Sequence, residues 1–147
     1  RRYDEAQMHQ FQRDENWCVA DFSLADVFGD SGIVGVVLVQ LLSARSARID
    51  TFLMSCRVIG REAEGAFLHT VLRQLAERGI QHVSAEYLPT AKNELARKFL
   101  ADQGFEHAGG GQYHRDLCVA PPKGVADFPI QILLAAGPGC QSTPTVP

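Results

Sequence analysis

Along this chain the apolar positions repeat with a period of two in the first third and near 3.6 in the middle. Residues 3–13 read as a short helix capped by Asp4. In 17–24, Cys18, Ala20, Phe22 and Leu24 point one way, which predicts a strand. Phe28-Gly-Asp-Ser-Gly32 predicts a hairpin turn, because its residues tolerate positive φ. Residues 33–42 form an aliphatic run with Gly35 inside it, the pattern of a strand covered on both faces. After a turn at 43–47, residues 48–55 predict the next strand, with Ile49, Thr51 and Leu53 opposite Asp50, Phe52 and Met54.

The period then changes. Over 60–78, Ala63, Phe67, Leu68, Val71, Leu72 and Leu75 make one apolar stripe of the longest helix. His69, Arg73 and Glu77 share its polar, solvent-facing side, and Gly79 stops it. Residues 83–88 predict a strand broken by Pro89-Thr90. A second helix runs to Gln103 with Leu95, Ala96, Phe99 and Leu100 buried, and Gly104 ends it. Residues 105–108 and 113–119 predict two strands joined by Gly109-Gly110-Gly111. Residues 127–134 offer an edge strand, weakened by Pro129.

A meander of antiparallel strands feeding a βαβα unit predicts an α/β fold of the α+β kind, a twisted mixed sheet flanked by helices. Residues 1–119 read as one domain, 120–136 as an edge strand or extension, and 137–147 as a disordered tail. Six of the seven prolines stand at or beyond Pro121, and the chain starts at Arg1 without a methionine, so it reads as a piece of something longer.

Composition excludes more than it assigns. A net charge of −3, with no basic stripe, gives nucleic acid no electrostatic reason to bind. The longest apolar run, 33–42, is half what a membrane-spanning helix needs. Four cysteines without CxxC spacing predict free thiols in a reducing cytoplasm, and scattered histidines predict no metal site. The chemistry concentrates in residues 49–61, a strand running through a glycine-bearing loop into a helix. Unpaired N–H groups and the positive end of the helix dipole make that junction an anion site. Gly60 permits close approach of a pyrophosphate, and Arg57 and Arg61 add positive charge.

Two motifs in this arrangement resemble those of the GNAT acyltransferases. Arg57-Val-Ile-Gly60-Arg-Glu62 is similar to that family's pyrophosphate turn, with Glu62 where Gly or Ala is usual. Asn93-Glu-Leu-Ala96-Arg-Lys-Phe99-Leu100-Ala-Asp-Gln-Gly104-Phe105 is similar to its second motif, with Leu100 replacing the tyrosine that often protonates the leaving thiolate. Three phrases, 28–35, 49–61 and 86–93, resemble the C-terminal GNAT-like domain of FkbH-like proteins, associated with polyketide extender units. That resemblance implies a phosphatase-like domain upstream and a first GNAT strand before Arg1, so that one sheet edge, at the strand near Trp17, would be left unpaired.

The resemblance also implies a cofactor and a site. The cofactor is coenzyme A, acyl coenzyme A or the phosphopantetheine of an acyl carrier protein, held by Ser55, Cys56, Arg57, Val58, Ile59, Gly60 and Arg61, with Asn93 capping the second helix or bonding the pantetheine amides. Asp50 stands where these enzymes often keep a base, or is simply paired with Arg48. Tyr87 is the acid that replaces the lost tyrosine, or packs in the core. The implied partners are an acyl carrier protein or a small-molecule acceptor. The rival reading is a non-catalytic module that docks a carrier protein or a phosphatase-like domain.

Overall fold

The computed structural model describes residues 3–26, 29–55, 63–87, 94–120 and 134–136. In order, the elements are α1 (Glu5–Arg13), β1 (Trp17–Asp26), β2 (Gly29–Leu41), β3 (Ser46–Met54), α2 (Ala63–Glu77), β4 (His82–Glu86), α3 (Glu94–Asp102), β5 (Glu106–Gly109), β6 (Gln112–Asp116) and β7 (Leu134–Ala136). The strands form one sheet in the order β5-β6-β4-β3-β2-β1-β7. All pairings are antiparallel except β3 with β4, which are parallel and joined through α2.

Local chemistry explains the ends of the elements. At α1 the Asp4 carboxylate accepts the Gln7 N–H at 2.8 Å, while the Gln7 side chain accepts the Asp4 N–H at 3.0 Å, a reciprocal capping box. Both later helices close the same way. Ile80 N–H reaches Leu75 O beyond α2 and Phe105 N–H reaches Leu100 O beyond α3, each at 3.0 Å, around glycines at positive φ. The β1–β2 hairpin is longer than the expected turn allows, since Asp26 pairs directly with Gly29. Residues 29–32 therefore enter the ladder, where backbone pairing with β1 outweighs their turn propensity.

The core lies between the sheet and the face shared by α2 and α3. Phe67 of α2 is fully buried and stacks on Phe22 and Phe52, with centroids 5.0 and 5.5 Å away, and Phe52 in turn stacks on Phe99 of α3 at 5.7 Å. Full burial of one such ring stabilises by about 1.5–3 kcal/mol. The stripe expected on the long helix is buried from Ala63 to Leu75. On the opposite face α1 packs against β1 through Tyr3, Phe11 and Trp17, whose rings touch in series.

Four expectations are corrected. In β3, Leu38 and Val39 face Thr51 and Ile49, so Asp50 is an extra residue and forms a β-bulge. The bulge shifts the alternation: Ala47 and Ile49 before it, and Phe52 and Met54 after it, all meet the core. The edge at β1 is not left open, because β7 pairs with Ala20–Phe22 there. Cys18, in β1, is disulfide-bonded, with its partner outside the described residues, whereas Cys118 is free. Sequence spacing carries no information on which thiols meet in space. His69 is half-buried, its Nδ1 without a hydrogen-bond partner.

Candidate functional site

The parallel pairing of β3 with β4 runs from Ser46↔His82 to Ile49↔Ala85 and stops. Beyond it β3 continues to Met54, still paired with β2. The chain leaving β4 turns the other way, and Tyr87 N–H donates to Gly111 O at 2.8 Å. The two strands therefore part like a V at their C-terminal ends. This is the crossover point of an open sheet, where ligands enter such folds.

The β3 wall of this opening has polar backbone groups to offer. Ser55 N–H donates to Val34 O at 2.7 Å, so Ser55 and, two residues back, Leu53 direct their polar groups to β2. By alternation, Phe52 and Met54 direct theirs toward the opening, where no β4 residue is in register with them. Beneath them lies the stacked set Phe52, Phe67 and Phe99. Gly35 keeps β2 close behind: a Cβ there would meet Met54 Sδ at 2.6 Å and Leu53 O at 3.3 Å.

Asp50 is the first β3 residue past the last β3–β4 pair. Its side chain is 1 % exposed. It accepts hydrogen bonds from Tyr3 Oη at 2.6 Å and Thr51 Oγ1 at 2.9 Å, and Arg48 Nη2 lies 3.9 Å away. The bulge turns it to the α1 side. Tyr87 follows β4 and is 7 % exposed, with its ring edge-to-face on Tyr113 at 6.3 Å, inside the core on the α2 side. The two expected catalytic residues thus flank one opening from opposite faces of the sheet.

Ser55 directly follows β3 and is half-buried. Cys56, Arg57, Val58, Ile59, Gly60, Arg61 and Asn93 lie outside the described residues, as does Glu62. What is described is their frame: β3 ends at Met54 and α2 begins at Ala63, with Ala63, Gly65 and Ala66 buried in its first turns. Leu100 is half-buried and packs against the core from α3. The resemblance implied strand N–H groups beside a splayed strand, but sequence reasoning did not single out Phe52 and Met54 and missed the hydroxyls on Asp50. The β3–β4 divergence that exposes the former leaves no mark in composition. Among the described residues no cluster of three or more His, Cys, Asp or Glu can hold a metal, and no helix is long and apolar enough to cross a membrane.

No family model and no curated protein sequence matches the chain. Solved structures do. The chain is similar to the ribosomal-protein-S18-alanine N-acetyltransferase from Escherichia coli at a TM-score of 0.61 and 15% identity, over 80% of this chain and 79% of that one. It is similar to Ard1 from Thermoplasma volcanium at a TM-score of 0.59 and 19% identity, over 79% and 81% of the two chains. PaiA N-acetyltransferase from Thermoplasma acidophilum, solved in complex with coenzyme A, matches at a TM-score of 0.50 and 13% identity over 58% and 55%. These likenesses, with those to two GNAT-family acetyltransferases at TM-scores of 0.53 and 0.54, show that the chain has the fold of the GNAT-family N-acetyltransferases.

Proposed function

We propose that this chain is an acyltransferase domain that takes its acyl group from a coenzyme A thioester. The observation that carries the reading is the parting of β3 from β4 after Ile49↔Ala85, beside the junction of β3 with α2. A pantetheine arm fits between such strands, and the N–H groups of Phe52 and Met54 are available to its amides or to the oxyanion formed during transfer. The pyrophosphate falls to Ser55, Cys56, Arg57, Val58, Ile59, Gly60 and Arg61 at the helix start, with Asn93 serving the second helix or the pantetheine. In the reaction an acceptor amine or hydroxyl attacks the thioester carbonyl. The new C–N or C–O bond forms, the C–S bond breaks, and the acceptor's proton leaves to a base while the thiolate gains one. Asp50 is the candidate base and Tyr87 the candidate donor.

The finer reading follows the resemblance to FkbH-like proteins. It adds carrier-protein phosphopantetheine as an alternative thioester, a carrier protein or small molecule as acceptor, polyketide extender units as context, a phosphatase-like domain upstream and a cytoplasmic location. A non-catalytic docking module is the second reading. It is favoured by Leu100, an apolar core residue where the related motif has a proton donor.

Calorimetry with coenzyme A and acetyl coenzyme A tests the proposal. Binding is expected, with Gly60→Asp abolishing it and Arg57→Ala weakening it by about 1–3 kcal/mol, the scale of one hydrogen bond to a charged group. An affinity unchanged from the native chain in both variants would place the ligand elsewhere.

A further inference from the structure

Arg115, on β6, is 7 % exposed and donates through Nη1 to the carbonyl of Gln103, at the end of α3. A guanidinium has five N–H donors, and capping a helix end uses one of them here. Among the described residues the Arg115 side chain has no other hydrogen bond and no ion pair, so no carboxylate of theirs lies within 4.0 Å of it. None of its other nitrogens is among the buried unpartnered atoms of the described residues, so they open onto solvent at the cavity wall and are free to take a ligand.

Arg115 forms part of the wall of a cavity of about 530 Å³, whose lining also includes Gly104, next to Gln103. That volume suits a small molecule. The wall carries two exposed carboxylates, Glu106 and Asp116, neither in an ion pair. Asp116 Oδ1 accepts the Cys118 N–H at 2.8 Å. Val119, 64 % exposed, and Ala120 add an apolar side. A simple anion would satisfy Arg115 but meet two negative charges, and a simple cation would meet the reverse. A molecule with both charges and an apolar body matches Arg115, the two carboxylates and the apolar side, with His82 and His114 also in the wall.

We propose that this cavity binds an α-amino acid with an apolar side chain, its carboxylate on Arg115, its ammonium toward Glu106 and Asp116, and its side chain against Val119 and Ala120. The site lies beside His82, where β4 begins, whereas the β3–β4 opening lies where β4 ends. It is therefore separate from the thioester site and does not rest on the acyl-transfer reading.

Calorimetry on the full chain decides the matter, with L-leucine, 4-methylpentanoate, 3-methylbutylamine and inorganic phosphate as probes. L-leucine is expected to bind at one site, and the other three at least ten-fold more weakly. Arg115→Gln is expected to abolish binding. The double change Glu106→Gln with Asp116→Asn, confined to exposed side chains, is expected to weaken it at least ten-fold while the melting temperature stays put. Should Arg115→Gln fail to fold, the double variant carries the test alone. No heat with L-leucine, equal binding of 4-methylpentanoate, tighter binding of phosphate, or an unchanged affinity in the double variant would each overturn the proposal.

Discussion

Tyr87 and Leu100 set the chemistry that single residues can supply. Leu100 offers no proton, and Tyr87 is the hydroxyl nearest in sequence to the end of β4. General-acid help is worth roughly 10²–10⁴ in rate. Acetyl transfer to generic amines is therefore expected to be weak. Tyr87→Phe is expected to lower kcat with little change in affinity, and Leu100→Tyr to raise it, both read by thiol release from acetyl coenzyme A. Fast turnover that survives Tyr87→Phe would remove Tyr87 from the mechanism. His69 makes a second prediction. Burial, and then the charges of Arg115 and Arg73, lower its pKa from 6.5. The unfolded chain thus binds this proton more readily than the folded one. Its contribution is fully present above about pH 6.5 and is lost as pH falls toward the depressed value. Urea midpoints are expected to fall over that window, and less steeply in His69→Gln. Identical slopes would mean that other groups carry the pH dependence.

At the scale of elements, the β5–β6 turn shows how a sequence pattern acquires a necessity that the sequence does not display. Gly109-Gly110-Gly111 marks a turn in any reading, and all three residues have positive φ. Gly111 carries a second constraint, since a Cβ there would sit 2.5 Å from the Tyr87 carbonyl oxygen. Its own carbonyl accepts the Tyr87 N–H, so the turn pins the chain where it leaves β4. Gly110, by contrast, has open space around its Cβ position. Gly111→Ala is expected to cost about 1–3 kcal/mol in chemical denaturation, as strain plus a backbone clash. Gly110→Ala is expected to cost less, because only its φ is strained. An equal cost at both sites would show that the contact with Tyr87 relaxes freely. The bulge at Asp50 is the complementary case. Strict alternation predicts Asp50, Phe52 and Met54 on one face, whereas the extra residue sends Asp50 to Tyr3 and Phe52 to Phe67. Which strand position carries the extra residue depends on the partner strand's register, and β3 alone does not display that.

For the whole molecule, the short strand β7 matters because it covers Ala20–Phe22 on the outer edge of β1. An unpaired edge is a template for another chain. Ending the chain after Ala120 is expected to shift it from its native oligomeric state toward larger species, read by light scattering after gel filtration. An unchanged state would show that β7 does not guard the edge. The sequence by itself determined the order and kind of the elements between Glu5 and Asp116, because apolar periodicity, the helix-ending glycines and the Asp4 cap act over one or two turns of chain. It also placed a strand before residues 56–62 and a long helix after them, where β3 ends and α2 begins. Tertiary structure alone decided the rest. The divergence of β3 from β4, the pairing of a distant β7 with β1, the disulfide at Cys18 and the burial of Arg115 all join residues far apart in sequence. Their energies arise from contacts that form only once the sheet has closed, so no local pattern records them.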